Sequence, residues 1–230
     1  MAISCIVPAR NEEGHLANVI AQVMAVNEIQ KIFIIEGGSS DNTRTEGRRI
    51  ADESGGKVEF VEQNGTGKFN AVLEGAALCD SEWIMIWDAD GTISLEDTRK
   101  LIKVALEENA GVVGDRLRGK REKGSMQCAN FLANWGFAFL WLPFTNHKAI
   151  DLLCGTKIFP RRVFLHLPAT VMEADPYGDF TLVASAIIND VQIISVPVNY
   201  YKRQYGSTNI QRWRGGVQLI KTYLRFLQIK

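Results

Sequence analysis

Two aspartates, Asp88 and Asp90, follow an apolar strand-like segment at residues 83–87 and are separated by Ala89. Carboxylates at positions i and i+2, where a buried strand emerges, can hold a hard divalent cation such as Mg²⁺ or Mn²⁺. A cation at this place can neutralise the charge of a diphosphate group. The alternative is a structural pair that forms a turn and caps the next helix, because aspartate favours both positions.

Apolar segments alternate with segments of helical periodicity along the first 115 residues. The predicted strands cover residues 3–8, 31–35, 57–61, 83–87 and 111–114, and the predicted helices cover residues 12–24, 41–54, 67–78 and 95–108. This alternation is typical of βαβ units and a mainly parallel sheet. Because right-handed crossovers bring the loops after parallel strands to one edge, we expect residues 8–13, 36–41 and 88–92 to meet there and bind a ligand.

The second half of the chain is less regular. Its predicted elements are an aromatic segment over residues 126–144, a strand over 151–159, a helix over 177–189, a strand over 191–200 and a basic helix from about residue 213. No internal repeat or linker separates the halves. The sequence therefore predicts a single α/β domain over residues 1–230.

The composition is typical of a globular domain, with 230 residues of which 46% are hydrophobic and 23% charged. Lys and Arg number 26 and Asp and Glu also number 26, so no global basic field predicts nucleic-acid binding. Residues 191–230 nevertheless contain seven basic side chains and no acidic one, which suggests an anionic ligand or surface, and the equal alternative is a solvated basic face. The four cysteines form no CxxC pair, which argues against zinc and redox motifs.

The N-terminus leads directly into a strand-like segment, without the charged and apolar regions of a signal peptide. No apolar run reaches the ~20 residues that a membrane-spanning helix needs. We therefore expect a cytoplasmic protein. The aromatic residues at 131–142 suggest contact with the inner face of a membrane, and the alternative is a helix packed on the sheet or in a homodimer interface.

Eight short motifs, in this order along the chain, resemble those of family-2 glycosyltransferases with the GT-A fold, and most closely the polyprenyl-phosphate (dolichyl-phosphate) mannosyltransferase-like branch. They are VPARNEE at 7–13, EGGSSDNT at 36–43, GTGKFNA at 65–71, DAD at 88–90, GDR at 114–116, DLLCGTK at 151–157, GDF at 178–180 and RQYGSTNI at 203–210. The resemblance covers nearly the whole chain. It implies a Rossmann-like sheet flanked by helices, with a donor half over residues 1–115 and an acceptor half over 116–230.

The resemblance also implies inverting transfer of a sugar from a nucleotide-sugar donor, a UDP- or GDP-sugar. The implied acceptor is a polyprenyl phosphate or another membrane-associated acceptor. The donor-binding residues implied by it are Pro8, Ala9, Arg10, Glu12, Glu36, Lys68, Asp88, Ala89, Asp90 and Arg116. Among these, Asp88 and Asp90 are implied to hold the diphosphate through Mg²⁺ or Mn²⁺. Arg203 matches an arginine that grips phosphate, a role that suits a planar guanidinium. Lys68, Arg116 and Arg203 could instead be surface cations.

The chain departs from the family pattern at two positions. The family usually has Asp-Asp-Gly-Ser after the second strand, where this chain has Glu36 followed by Gly37, Gly38 and Ser39, so we expect Glu36 to take the contact with the base. The family's lysine after the last Gly-x-Ser is Asn209 here, which leaves one phosphate contact to another cation.

Asp179 is the predicted general base, because a carboxylate can accept the proton of an acceptor hydroxyl. The alternative is that Asp179 caps the helix that begins near residue 180. Asp175 is the reserve candidate for the base. A lipid-phosphate acceptor is already an anion and requires little base catalysis.

Other functions fit the sequence less well. A dehydrogenase requires Gly-x-Gly-x-x-Gly after the first strand, and residues 8–13 contain none. A P-loop enzyme requires a glycine at position 62 and Ser or Thr at position 69, where Glu62 and Phe69 stand. A sugar nucleotidyltransferase usually has a glycine-rich loop after the first strand, which is missing. A catalytically silent nucleotide-sugar-binding domain is the remaining alternative.

Overall fold

A seven-stranded sheet lies at the centre of the computed structural model, which describes residues 2–146, 148, 150–175, 177–202 and 212–230. The strands are β1 (Ile3–Ala9), β2 (Ile29–Glu36), β3 (Val58–Glu62), β4 (Trp83–Ile86), β5 (Gly111–Asp115), β6 (Lys157–Pro160) and β7 (Ile193–Pro197). Their order across the sheet is β3-β2-β1-β4-β6-β5-β7. Only β6 runs antiparallel to its neighbours among these strands. The prediction of one α/β domain with a mainly parallel sheet is confirmed.

Helices cover both faces of the sheet. They are α1 (Leu16–Met24), α2 (Thr43–Glu53), α3 (Lys68–Leu78), α4 (Leu95–Glu107), α5 (Cys128–Trp141), α6 (Arg162–Leu165), α7 (Ala169–Met172), α8 (Asp179–Ile188) and α9 (Arg212–Leu227). One apolar core joins α1, α2 and α4 to the sheet, and a second joins α3, α5, α8 and α9 to its other face. Because both faces are covered, every residue of β4 and β5 is buried.

An aromatic cluster around Trp141 joins α5, α8 and α9. The Trp141 ring is fully buried, with its centroid 5.1 Å from that of Phe180, 5.5 Å from that of Tyr223 and 4.6 Å from that of Phe226. The predicted aromatic segment therefore packs on the fold along one side. Its other side is exposed, and 77% of the surface of Phe139 is accessible to solvent.

The largest differences from the predicted boundaries concern three elements. Helix α1 begins at Leu16 rather than at residue 12, and β7 spans Ile193–Pro197 rather than residues 191–200. Strand β6 begins at Lys157 rather than at residue 151. Residues 151–156 form a turn instead, in which the carbonyls of Leu152 and Cys154 accept hydrogen bonds from the Lys157 ammonium. The short helices α6 and α7 were not predicted.

The loops after the parallel strands meet at one edge, as predicted. Strand β1 pairs in parallel with β2 on one side and with β4 on the other. Their carboxyl ends therefore lie side by side, and this edge carries most of the side chains that the sequence marks as chemically interesting.

Candidate active site

Backbone amides of the loop after β1 donate hydrogen bonds to side-chain hydroxyls of the residues that follow β2. The Asn11 amide donates to Oγ of Ser39 at 3.0 Å, and the Glu12 amide donates to Oγ1 of Thr43 at 2.8 Å. Arg10 is exposed beside this seam, whereas Glu12 is buried. These bonds hold the two loops side by side at the sheet edge, and the contacts of Arg10 and Glu12 with a nucleoside stay predictions.

The end of β1 lies beside the loop after β2. Pro8 is half-buried and Ala9 is buried, and the Ala9 carbonyl accepts a hydrogen bond from the Gly37 amide at 2.9 Å. Both residues therefore lie at the sheet edge where they are expected. Their contact with a nucleoside stays a prediction.

Glu36 ends β2 and is buried, with 1% of its surface exposed. Its carboxylate accepts hydrogen bonds from the Ser39 amide at 2.5 Å and from Nε of Arg44 at 3.2 Å. Burial would raise the pKa of Glu36, but the bonds from Ser39 and Arg44 outweigh it and hold that pKa below its ordinary value. Glu36 therefore organises the loop after β2, and its contact with a base stays a prediction.

Asp88 and Asp90 follow β4, and the Lys68 ammonium at the start of α3 forms an ion pair with Asp88. Asp90 accepts hydrogen bonds from the amide of Thr92 at 3.2 Å and from its hydroxyl at 2.9 Å. Asp90 thus forms the turn that was the structural alternative for the pair. Ala89 between them is buried, so the loop after β4 presents mainly carboxylates.

The charges in this part of the site act on one another. Burial would raise the pKa of Asp88, but Lys68 and Lys157 nearby outweigh it and hold that pKa below its ordinary value. Partial desolvation would lower the pKa of Lys68, whose side chain is still 40% exposed, but the charges of Asp88, Asp179 and Asp90 raise that pKa above its ordinary value. The structure therefore brings Asp179 into the same cluster as the two aspartates of the loop after β4.

Arg116, directly after β5, is held by Asp151. Its Nε and Nη2 donate to the Asp151 carboxylate at 2.7 and 2.9 Å, and its guanidinium lies over the Tyr200 ring, 5.2 Å from the centroid. The loop that carries Asp151 also reaches Asp88, because a Cβ built on Gly155 would lie 1.8 Å from Oδ2 of Asp88. Only glycine permits this approach, so the backbone at Gly155 forms a wall against the Asp88 carboxylate.

Asp179 is the first residue of α8, and its Oδ1 accepts a hydrogen bond from Nζ of Lys157 at 2.7 Å. The N-cap is Gly178, so the alternative that Asp179 caps the helix is wrong. Asp175 supports the helix start instead, since its Oδ2 accepts from the amide of Thr181 at 2.8 Å and from the Thr181 hydroxyl at 3.0 Å. Burial and the charge of Asp179 together raise the pKa of Asp175.

Arg203 and the loop that follows lie outside the residues that the structure describes. The predicted grip of Arg203 on phosphate therefore stays a prediction.

The oxygen ligands present at the sheet edge suit a divalent cation. Asp88 and Asp90 offer hard carboxylate oxygens, which Mg²⁺ and Mn²⁺ prefer. Across the described ranges, no group of three or more His, Cys, Asp or Glu side chains forms a metal site by itself. The residues thus fit a cation whose remaining ligands are phosphate oxygens and water.

A family model described as "Glycosyl transferase family 2" matches residues 4–166, which is well over half of the chain. The chain belongs to glycosyl transferase family 2. It is therefore a glycosyltransferase that uses a nucleotide sugar, and its family differs from that of the sugar nucleotidyltransferases that the sequence left open.

Individual glycosyltransferases are also similar to this chain in sequence. The chain is 30% identical over 232 residues to glycosyltransferase AglJ of Haloferax volcanii, covering 97% of this chain and 72% of AglJ. It is 25% identical over 248 residues to the human dolichyl-phosphate beta-glucosyltransferase, covering 98% of this chain and 76% of the relative. Another relative from H. volcanii is a low-salt glycan biosynthesis hexosyltransferase, and this chain spans 53% of the length of that relative.

The fold is shared with glucosyl-3-phosphoglycerate synthase from Mycobacterium tuberculosis, in a crystal structure with Mn²⁺, UDP-glucose and phosphoglyceric acid. The two superpose with a TM-score of 0.71 at 18% identity, over 100% of this chain and 80% of the synthase. The glycosyltransferase therefore has the GT-A fold that its motifs predict.

Sequence reasoning did not predict roles for Asp151 and Lys157 in this glycosyltransferase. Both are buried, at 1% and 0% exposure. The available signal was a charged residue at each end of the apolar segment 151–157, because a charge in such a segment is rarely buried without a partner.

Proposed function

We propose that this enzyme moves a sugar, with inversion at the anomeric carbon, from a nucleoside-diphosphate sugar to a polyprenyl phosphate. The observation that carries the proposal is the charge cluster at the sheet edge, where Asp88 and Lys68 form an ion pair next to Asp90 and Asp179. UDP-sugars are the first donors to test and GDP-sugars the second, since the structurally similar synthase binds UDP-glucose. The acceptor class is suggested by relatives named for dolichyl phosphate.

Asp88 and Asp90 would hold the Mg²⁺ or Mn²⁺ ion, because their carboxylate oxygens are the ligands that these hard cations prefer. When bound, the ion would neutralise charge on the donor diphosphate. Lys68 lies against Asp88 and can offer its ammonium to a phosphate oxygen of the same diphosphate. Manganese in the crystal structure of the similar synthase supports this choice of cation.

The proposed transfer is a single displacement. An acceptor oxygen forms a bond to the anomeric carbon while the bond from that carbon to the diphosphate breaks, and the nucleoside diphosphate leaves with the electron pair. Lys68, Arg116 and Arg203 are the cations proposed to stabilise the charge that develops on the leaving group. In this proposal residues 1–115 bind mainly the donor and residues 116–230 the acceptor.

The acceptor decides what Asp179 does. A hydroxyl acceptor would give its proton to Asp179 as the bond forms. A phosphate acceptor is already ionised and gives up no proton, so Asp179 would then orient the acceptor or its neighbours. The ion pair of Asp179 with Lys157 suits this second role, because Lys157 already occupies Oδ1.

A membrane-facing surface suits an acceptor that is a lipid. We define the α9 stripe as Val217, Ile220, Leu224 and Leu227, which are 55%, 48%, 53% and 42% exposed. Their spacing places them on one face of α9, and the exposed Lys221 and Arg225 lie beside them. With no acidic residue from 191 to 230, this face is complementary to an anionic lipid surface.

Within the part of the chain that the structure describes, no helix combines the length and apolar character needed to cross a bilayer. We propose a peripheral enzyme at the cytoplasmic face of the membrane, held there by the α9 stripe and by the exposed aromatic side of α5. Pairing of two copies through the same stripe is the competing use of this surface.

The proposal is tested by ligand binding followed by transfer. Thermal shift with UDP, GDP, CDP and dTDP, each with and without Mn²⁺, identifies the base. The matching UDP- or GDP-sugar is then incubated with dolichyl phosphate in detergent, and the lipid product and its anomeric configuration are determined by mass spectrometry and NMR.

We expect metal-dependent stabilisation by one nucleotide and a lipid-linked sugar of inverted configuration. Retention of configuration would overturn the inverting mechanism, and transfer only to a soluble hydroxyl acceptor would overturn the lipid-phosphate acceptor. Equal binding with and without Mn²⁺ would overturn the metal role of Asp88 and Asp90.

A further inference from the structure

Lys157 is a lysine with no exposed surface at the first position of β6. Its ammonium donates to the carbonyls of Leu152, at 2.8 Å, and of Cys154, and to Oδ1 of Asp179 at 2.7 Å. An ammonium has three protons, so these acceptors satisfy it completely. A buried cation is retained only with such partners, because an unpaired charge in the interior is very costly.

The loop at residues 151–155, which Lys157 holds through two of its carbonyls, touches the donor side of the site at two places. Asp151 binds the Arg116 guanidinium through two hydrogen bonds. Gly155 lies directly against the carboxylate of Asp88. If this loop moved, a donor-binding arginine and the wall of the metal-binding loop would move with it.

The third partner of Lys157 lies on the acceptor side. Asp179 begins α8 after Gly178, whose φ of +78° and close contact with the Phe69 ring exclude a side chain at that position. The packing of Gly178 against Phe69 thus fixes the start of α8, and the hydrogen bond from Lys157 fixes the Asp179 carboxylate.

We propose that Lys157 is a positioning residue that builds the donor and acceptor sides of the active site as one unit. Through one ammonium it sets the loop at 151–155, and with it Arg116, relative to the Asp179 carboxylate. This inference rests on the proposed function. A positioning role and a purely structural role of Lys157 predict different results. If Lys157 positions the site, its loss should weaken donor binding even in a variant where Asp179 no longer carries an unpaired charge.

The variants are Lys157→Met, Asp179→Asn and the double variant. Methionine keeps much of the length of lysine and removes the three donors. Asparagine keeps an oxygen that can accept from Lys157, so it preserves the geometry and removes the charge. The matched control is Lys31→Met, which removes the ion pair of Lys31 with Glu59, at 2.5 Å, on strands at the other end of the sheet.

Binding of the nucleoside diphosphate with Mn²⁺ is measured by calorimetry, and melting temperature and turnover with dolichyl phosphate are measured alongside. In Lys157→Met, we expect the dissociation constant to rise about tenfold or more, as for other residues that orient ligand-binding groups. Turnover should fall about a hundredfold, because small misplacements are costly in catalysis. Asp179→Asn should keep its nucleotide affinity within about twofold of the wild type, since the loop at 151–155 stays anchored to Lys157.

The double variant decides between positioning and stability alone. It has no unpaired carboxylate, so it should melt at a higher temperature than Lys157→Met, yet its nucleotide affinity should stay about tenfold weaker than that of Asp179→Asn. Equal affinity in the double variant and Asp179→Asn would overturn the inference while leaving the proposed function intact. A wild type that binds none of UDP, GDP, CDP and dTDP would overturn both. Lys31→Met should match the wild type in affinity and turnover.

Discussion

Charged residues in the active site are arranged as ion pairs between distant parts of the chain. The pairs are Lys68 with Asp88, Lys157 with Asp179 and Arg116 with Asp151. Each buried or half-buried charge thereby keeps a counterion, which limits the cost of removing it from water. Lys68 and Arg116 of these pairs are two of the cations proposed to stabilise the charge on the leaving diphosphate, whereas Lys157 is fully occupied by its own acceptors.

At the residue scale, Asp90→Asn should abolish the Mn²⁺-dependent part of nucleoside-diphosphate binding while the fold persists. The reason is that two carboxylates provide the only protein charge proposed for the cation, and loss of one leaves too few anionic ligands. Calorimetric titration with UDP at fixed Mn²⁺ measures the nucleotide binding, and the far-UV circular dichroism spectrum shows whether the fold persists. Asp80→Asn, an exposed aspartate at the end of the preceding loop, serves as the control. Unchanged binding by Asp90→Asn would remove the metal assignment.

Arg203→Ala should lower turnover by about a hundredfold with little change in melting temperature, because it removes a cation that stabilises charge on the leaving diphosphate. Arg203→Lys should restore only part of the activity, since one ammonium cannot reproduce the two-pronged hydrogen bonding of a guanidinium. Steady-state kinetics with the preferred donor and a thermal melt are sufficient. Parental turnover in Arg203→Ala, or failure of that variant to fold, would make Arg203 a structural residue and overturn its proposed contact with the diphosphate.

At the element scale, the aromatic cluster joins helices from the second half of the chain into one layer. Trp141→Ala should lower the free energy of unfolding by about 3–5 kcal/mol, because it leaves a large cavity between α5, α8 and α9. Trp135→Ala on the same helix is the matched control, and its cost should stay below about 1 kcal/mol because that ring is 37% exposed. Urea denaturation of both variants gives the comparison. Equal losses would show that α5 is not anchored through Trp141.

A second element-scale contact joins the start of α4 to the segment after β7. The buried Asp97 accepts hydrogen bonds from the Asn199 amide at 3.0 Å and from Oγ of Ser94 at 2.9 Å. Burial would raise the pKa of Asp97, but bonds from Asn199, Lys100 and Ser94 hold it below its ordinary value of 3.8. A carboxyl group with a lowered pKa stabilises the folded state at pH values above its ordinary pKa. This stability is lost as the pH falls through the pKa of the folded state.

Asp97→Asn should therefore lower the free energy of unfolding by about 1–3 kcal/mol at pH 7. The gap to the wild type should narrow as the pH falls below the ordinary value of 3.8. Urea melts at pH 7 and at successively lower pH test this, with Asp52→Asn, an exposed aspartate of α2, as the control. A gap that is constant with pH would mean that the carboxylate charge contributes nothing.

At the scale of the whole molecule, the α9 stripe predicts how the enzyme meets its proposed acceptor. The wild type should co-sediment with vesicles that contain anionic lipid at low salt and less so at high salt, because screening weakens its basic surface. Leu224→Glu should reduce co-sedimentation, and Leu78→Glu, at an exposed leucine of α3, should not. Light scattering of the same variants measures self-association. A dimer that Leu224→Glu disrupts, with no vesicle binding, would assign the stripe to a second copy.

Much of the architecture could be predicted from local pattern. Apolar strand-like runs such as residues 83–87 alternate with amphipathic helices, and this periodicity depends only on neighbouring residues. The positions of Asp88 and Asp90 at a strand end follow from the same pattern, as does the meeting of the loops after β1, β2 and β4. Parallel pairing leaves no other edge for them.

Tertiary structure alone decided which charges are partners. Lys68 and Asp88 are 20 residues apart, Lys157 and Asp179 are 22 apart, and Arg116 and Asp151 are 35 apart, so no local spacing connects them. The antiparallel strand β6, inserted between β4 and β5, brings the last two pairs to the site. The amino-acid sequence by itself determined which residues emerge at the sheet edge, because periodicity sets strand ends. The order of strands determined what each residue touches there, because that order depends on long-range pairing that no short window of sequence contains.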